Sequence, residues 1–374
     1  VWCGHKGGME KLYMIALTMV PGIGSIGAKR ILVHAGSAEA VFRLKRSDLL
    51  GIPGVGSLLA DRILDRSLIE KAGKELESSV KKNIRCLFID EDGYPESLRN
   101  CEDAPLVLYV RGELDLDGRK TLSVVGTRRP TSLGLETCRK LIRELAGRHP
   151  ELVIVSGLAY GIDHCAHKTA LECGINTLAV LGHGLNFMYP AIHRKTAARI
   201  EASGALVTDF PAGEKPEKSN FIKRNRIIAG LSQATVVVES GNRGGALITA
   251  DLANSYNRDV FAFPGRICDP ASAGCNGLIK THRAALIEDP YDLEYQLGWM
   301  PMGEKHQPGQ TSMFRDLSPD EQAVIRVLQS EGDSSVDLIC FQSGIPVSRI
   351  SGILLGLELE GLVRVLPGNC YGLM

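Results

Sequence analysis

The 374-residue sequence holds no run of eighteen apolar residues, which excludes a membrane-spanning helix. The early apolar stretch at 12–21 is short and has no small-residue cleavage site, so a secretory leader is not expected and a cytoplasmic location is. Residues 1–8, VWCGHKGG, precede Met9 without periodicity and read as an extension of no structural consequence. Net charge is also missing, because 43 lysines and arginines balance 43 aspartates and glutamates. None of the glycine turns that follow the central strands is a complete G-x-G-x-x-G, and no P-loop lysine pattern occurs, so no cofactor is expected. No H-x-D, D-x-D or histidine-rich spacing frames Asp163, Asp209 or Glu239 as metal ligands. Ten cysteines are present, but they are spread through apolar segments of a long chain. That pattern reads as reduced, buried cysteines rather than a disulfide framework. Cys268 and Cys275 read as loop cysteines.

The balanced total hides segregation. Residues 11–85 carry thirteen basic and seven acidic side chains, and 119–230 carry seventeen and nine. Residues 86–117 hold two and nine, and 311–374 hold four and eight. Local fields follow these segments, so basic regions still invite a polyanion. Length implies two or three domains. The pattern divides the chain into an all-α unit at 9–85, a connecting segment at 86–118, an α/β domain at 119–297, a breaker-rich linker at 298–316 and a small unit at 317–374.

An internal repeat marks the first unit. PGIGSIGAKRIL at 21–32 and PGVGSLLADRIL at 53–64 agree at eight of twelve positions, at an offset of 32. Each copy pairs a short apolar helix, a Pro-Gly-x-Gly hairpin and a second helix. Glycines at 22, 24, 54 and 56 expose backbone N–H groups at a helix start, where phosphate binds. Gly22, Gly24, Lys29, Gly54, Gly56 and Arg62 are therefore candidate phosphate contacts. The module resembles the tandem helix-hairpin-helix. A structural use of the glycines for the turn alone is the competing reading.

From Lys120 short buried strands alternate with helices, which implies a mostly parallel sheet flanked by helices. Such sheets bind ligands at strand carboxyl ends. Gly126, Thr127, Arg128 and Arg129 end the first strand. Gly244 and Gly245 follow the run VVVE and open a helix. Between two core strands lies FPAGEKPEKSNFIKRNRIIAG at 210–230, with Lys215, Lys218, Lys223, Arg224 and Arg226 inside twelve residues. Clustered arginines and lysines there ask for several phosphates. Phe221 and Tyr160 stand beside the charges and could stack on a base. These cations are expected to face outward together at one mouth of the sheet.

SVVGTRRPTSLG at 123–134, SGLAYGID at 156–163 with His164, Ala166 and His167, and LGHGLNFMYP at 181–190 resemble the DNA-processing protein A family, also called Smf. So do RNRIIAGLS at 224–232, GGALITA at 244–250 and VFAFPG at 260–265. The resemblance implies an extended Rossmann-like domain that binds single-stranded DNA, dimerises, protects incoming DNA and loads the RecA recombinase during natural transformation. It carries DNA contact to Gly126 with Arg128, and to Arg224, Asn225 and Arg226. Thr127, Arg129, Lys168, Phe221, Lys223, Gly244 and Gly245 complete the candidate set. Thr127 stands where serine is frequent, Asn186 where aspartate is, and RICDPASAGCNG forms a longer insert; none removes a charge from the site.

An enzyme is not expected. Asp163, Asp209 and Glu239 sit near strand ends but read as helix caps or partners for arginines. The alternatives are a Rossmann-like nucleotide-processing enzyme, such as a nucleoside-monophosphate glycosidase, and a scaffold without DNA affinity. The last unit reads as three helices and a hairpin, which resembles a winged helix. Its acidic balance favours protein contact or packing over DNA.

Overall fold

The computed structural model describes residues 6–113, 116, 118–300, 317–359, 361–366 and 368–373. The expected linker therefore lies, from residue 301 on, outside the described residues, as does the start of the extension at 1–5. The chain divides into two compact units, 1–300 and 301–374.

In the first unit nine strands form one sheet. They are β1 (Arg85–Phe88), β2 (Val107–Gly112), β3 (Thr121–Val125), β4 (Val153–Ser156), β5 (Asn176–Val180), β6 (Ala205–Thr208), β7 (Ala234–Val237), β8 (Asp259–Ala262) and β9 (Ala285–Leu286). Their order is β1-β2-β6-β5-β4-β3-β7-β8-β9. The pairings from β6 to β9 are all parallel. β3 to β7 consist wholly or almost wholly of buried residues, as strands covered on both faces must. The chain leaves β3 for β4 on one side and returns to β7 on the other, so the topological switch lies at β3.

The segment at 86–118 does more than connect. β1 and β2 add antiparallel to the sheet's edge, with Tyr109 opposite Thr208 and Phe88 opposite Val107.

Helices precede and flank the sheet. The first region holds α1 (Lys6–Thr18), α2 (Ser25–Ala35), α3 (Ala38–Val41), α4 (Arg46–Leu50), α5 (Ser57–Ile63) and α6 (Ser67–Lys81). Gly22 and Gly54 have φ near +90°, so the two repeat copies turn alike in a region that side chains disfavour. Around the sheet lie α7 (Glu96–Arg99), α8 (Ser132–Arg148), α9 (Ile162–Glu172), α10 (Arg194–Ser203), α11 (Lys218–Leu231), α12 (Gly245–Ser255), α13 (Ala273–Lys280) and α14 (Pro290–Gln296).

An acidic turn after α7 ties several of these parts together. Lys29 Nζ on α2 donates to the Cys101 and Glu102 carbonyls at 2.9 and 3.0 Å. Arg226 of α11 donates to the Asp103 carbonyl, and Tyr256 Oη, just past α12, donates to Asp103 Oδ1 at 2.6 Å.

The second unit contains α15 (Pro319–Glu331), α16 (Val336–Ser343), α17 (Val347–Leu359) and a small antiparallel sheet of β10 (Ser334–Ser335), β11 (Val363–Leu366) and β12 (Cys370–Leu373). A capping box between Ser318 and Glu321 starts α15. Its own core includes Val324, Leu328, Ile350, Leu354 and Leu357. No single helix among the described residues is long and apolar enough to cross a membrane.

Candidate nucleic-acid interface

A cavity of about 450 Å³ opens at the switch point, where β3 and β7 end. Three loops and one helix build it.

The first loop continues β3. The Thr127 amide donates to the Glu239 carbonyl at 2.7 Å, which fixes the turn, while Arg128 and Arg129 remain exposed. The Arg128 guanidinium lies over the Phe221 ring, 5.9 Å from its centre. The Glu239 carboxylate accepts from Thr131 Oγ1 at 2.6 Å and from the Thr131 amide at 3.1 Å. Thr131 in turn caps α8 by accepting from the Gly134 amide. This buried carboxylate is thus consumed in holding the start of α8.

The second loop follows β4. Gly161 has φ +79°, and a Cβ there would stand 2.2 Å from the Thr127 carbonyl oxygen. A Cβ at Gly157 would stand 2.5 Å from the Arg224 guanidinium. Only glycine allows these close approaches. Asp163, in the first turn of α9, is buried. Burial pushes its carboxyl pKa up, while Arg224, Arg128 and the Ala159 and Gly157 backbones oppose that.

The third loop runs from Ser240 to Gly244 after β7. Gly244 gives α12 no side-chain cap, so the first amides of this eleven-residue helix are left for another acceptor. The Asn225 side-chain amide donates to the Gly245 carbonyl at 3.2 Å and so ties α11 to that helix start.

Helix α11 forms the remaining wall. Lys218, Phe221, Ile222 and Asn225 fall at i, i+3, i+4 and i+7 and all border the cavity. The expectation that the cluster of cations faces outward as a group fails here. Arg224 is only 3% exposed. Its Nη1 donates to the Gly157 carbonyl at 2.7 Å and to the Val180 carbonyl. Burial pulls its pKa down to about 10, partly offset by Asp163, so it stays charged. It is the floor of the cavity and not a free contact. Arg226 sits 200° further around the helix and lies outside the cavity, ion-paired with Asp209 and bound to the Asp103 carbonyl. Lys223 borders a different groove, beside Arg226 and the first hairpin. Lys168 pairs with Glu172 at 3.8 Å and does not line the cavity.

Four exposed cations line the cavity and make no ion pair with any described residue: Arg128, Arg129, Lys218 and Arg243. Arg243 was not foreseen from the sequence, and Lys218 was counted in the basic stretch without being singled out. Its place in the i, i+3, i+4, i+7 stripe was the available signal. Phe221 is joined by Tyr189, whose ring centre is 5.4 Å away, and Tyr189 too was missed. Tyr160 is 46% exposed and meets His193 edge-on.

The hairpin residues are placed less freely. Lys29 is spent on the two carbonyls described above, and burial lowers its pKa. Arg62 Nη1 donates to the Pro21 carbonyl at 2.9 Å, bracing the first hairpin from the second repeat. Arg30 reaches Gly54 in the reciprocal sense. Gly24 and Gly56 precede α2 and α5 with open space beside them. Cys275 lies not in a loop but on α13, buried against the Val237 carbonyl, whereas Cys268 is exposed in the preceding turn.

The family model described as DNA recombination-mediator protein A matches residues 85–298, and that of the DprA winged helix domain matches 311–369. Protein Smf of Synechocystis sp. is 33% identical over 395 residues, spanning 97% of this chain and 98% of that protein. Protein Smf of Escherichia coli is 38% identical over 311 residues, 79% of this chain and 80% of that one. Among solved structures, DNA processing protein A of Streptococcus pneumoniae aligns with a TM-score of 0.63 at 32% identity, covering 76% of this chain and 97% of its own. The Helicobacter pylori protein, whose single-stranded DNA binding mode has been described, aligns with a TM-score of 0.52 at 29% identity, covering 58% and 96%. A switch-point cleft in a mostly parallel sheet and a winged-helix unit thus occur together in a chain that belongs to the DNA recombination-mediator protein A family, known as DprA or Smf.

Proposed function

We propose that the chain binds single-stranded DNA, without marked sequence preference, in the cleft at the end of β3. One observation carries this reading: four exposed, unpaired cations and an uncapped helix start converge on one cavity beside aromatic rings. Phosphates suit the cations and the amides, and unpaired bases suit Phe221, Tyr189 and Tyr160. Among the described residues that line the cavity no base-reading pattern of side chains stands out, which fits sequence tolerance. Relatives named for DNA processing, and a relative whose structure describes single-stranded DNA binding, support the same reading.

The bound strand is then protected and handed to the RecA recombinase during natural transformation, by a chain that works as a homodimer; family resemblance motivates these three steps. The chain acts by binding and not by catalysis. The winged-helix unit serves protein contact or packing rather than DNA, a reading supported by its acidic balance and by the pairing of Arg349 on α17 with Asp320 at 2.5 Å. The hairpins' contact with phosphate is accessory, through backbone amides beside Gly24 and Gly56.

The test is an anisotropy titration with single- and double-stranded oligonucleotides over a salt series, with RecA added afterwards. Tighter binding of the single strand and faster RecA filament growth on the complex are expected. Equal or absent binding of both forms would overturn the proposal.

A further inference from the structure

Two thiols that the DNA-binding site does not use share the buried seam where α8 packs on α9. Cys138 is fully buried on α8, and Cys165 on α9 is 6% exposed. Cys165 Sγ donates to the Leu135 carbonyl at 3.7 Å, one turn before Cys138 on the same helix. That contact sets the Cys165 side chain beside Cys138 at the seam of α8 and α9, and Arg139 and Lys168 add positive charge near Cys165. A disulfide in a reducing compartment is usually a transient, redox-sensing one.

We propose that Cys138 and Cys165 form a redox-responsive dithiol site, oxidised by hydroperoxides to a disulfide that joins α8 to α9. The two sulfurs have different parts. The neighbouring Cys138 thiol, with Arg139 and Lys168, brings the Cys165 pKa down to about 7 against the effect of burial. The same contact and deeper burial push Cys138 up. Cys165 is thus the thiolate that attacks peroxide. Its sulfur bonds to one peroxide oxygen, the O–O bond breaks, and hydroxide leaves and takes a proton. The Cys138 sulfur then attacks the sulfenic sulfur. The S–O bond breaks, and the hydroxyl leaves as water with the Cys138 proton. Two thiols lose two electrons and the peroxide becomes two waters.

The two helices begin on either side of Arg128: α8 from Thr131, and α9 from Gly161, whose backbone touches the Thr127–Arg128 turn. The bond would therefore link the two segments that flank that arginine. The other buried cysteines fit no such scheme, since burial leads in raising both Cys275 and Cys101 and no second thiol acts on either.

The test is a non-reducing tryptic map of the full chain after hydrogen peroxide. Peptides 129–139 and 149–168 each hold one cysteine, so a link between them is unambiguous. The linked species is expected to form with peroxide and vanish with reductant. In Cys138→Ser, dimedone is expected to trap a sulfenic acid on Cys165. In Cys165→Ser, neither link nor adduct should form at Cys138. Recovery of both peptides unlinked from the native chain, while the exposed Cys268 is oxidised, would overturn the proposal, and that result needs no variant to fold.

Discussion

Removing the Arg128 side chain should change how DNA affinity depends on salt, whereas removing that of Arg226 should not. Binding to a single strand has a log–log salt slope of roughly −0.7 per neutralised phosphate. Arg128, Arg129, Lys218 and Arg243 are the free cations of the cleft, so the slope should be about −2.8 if each meets one phosphate. From 50 to 200 mM salt that corresponds to a roughly 50-fold loss of affinity, against about 20-fold for Arg128→Ala. Arg226→Ala should keep the native slope while lowering stability by about 3 kcal/mol, because it strands a mostly buried Asp209. Arg224→Ala is a poor probe, since it leaves Asp163 buried without its counter-charge and two carbonyls without a donor. Anisotropy with a labelled oligonucleotide reads the slopes, and thermal unfolding reads stability. A native slope in Arg128→Ala, or a flattened one in folded Arg226→Ala, would refute the assignment of phosphate contacts.

Further outcomes follow from other parts of the cleft and its supports. Gly161→Ala should both destabilise the chain and weaken DNA binding, because the new methyl group meets the Thr127 carbonyl and displaces Arg128; unchanged melting and affinity would count against it. His167 is buried, and Thr177 Oγ1, which donates to the Ile154 carbonyl, accepts from its Nδ1. Burial pulls its pKa down to about 3, so the folded state binds its proton less well than the unfolded state does. Its contribution is full above about pH 6.5 and falls as pH drops toward 3, with about 1 kcal/mol lost by pH 5.5. Denaturant midpoints at pH 7.5 and 5.5 should show that loss in the native chain and less of it in His167→Gln. A chain ending at residue 300 should keep native affinity for single-stranded DNA; a marked loss would bring the winged-helix unit into the DNA path.

The strands were legible because runs such as TLSVV and ATVVV are uncharged and rich in β-branched and apolar residues without alternation, as suits strands buried on both faces. The hairpin repeat was legible because the same glycine at 22 and 54 meets the same positive φ. The antiparallel edge was not, since nothing local in residues 85–88 or 107–112 names β6 as the partner. The fate of Arg224 and Arg226 depends on carbonyls more than forty residues away in sequence, at Gly157, Val180 and Asp103. Helix periodicity could still have warned that two arginines separated by one residue cannot both face one cleft. Arg243 carries no periodic signal, because it sits in a loop.

The acidic turn at Cys101, Glu102 and Asp103 bears on how this architecture can be rearranged. Its carbonyls are matched to Lys29 on one side and Arg226 on the other, so the hairpin region is fitted to this particular sheet. A hairpin module grafted from another protein would need a cation at position 29, or would leave acceptors stranded at the junction. Recombining these parts freely would therefore require the turn and the module to be exchanged together.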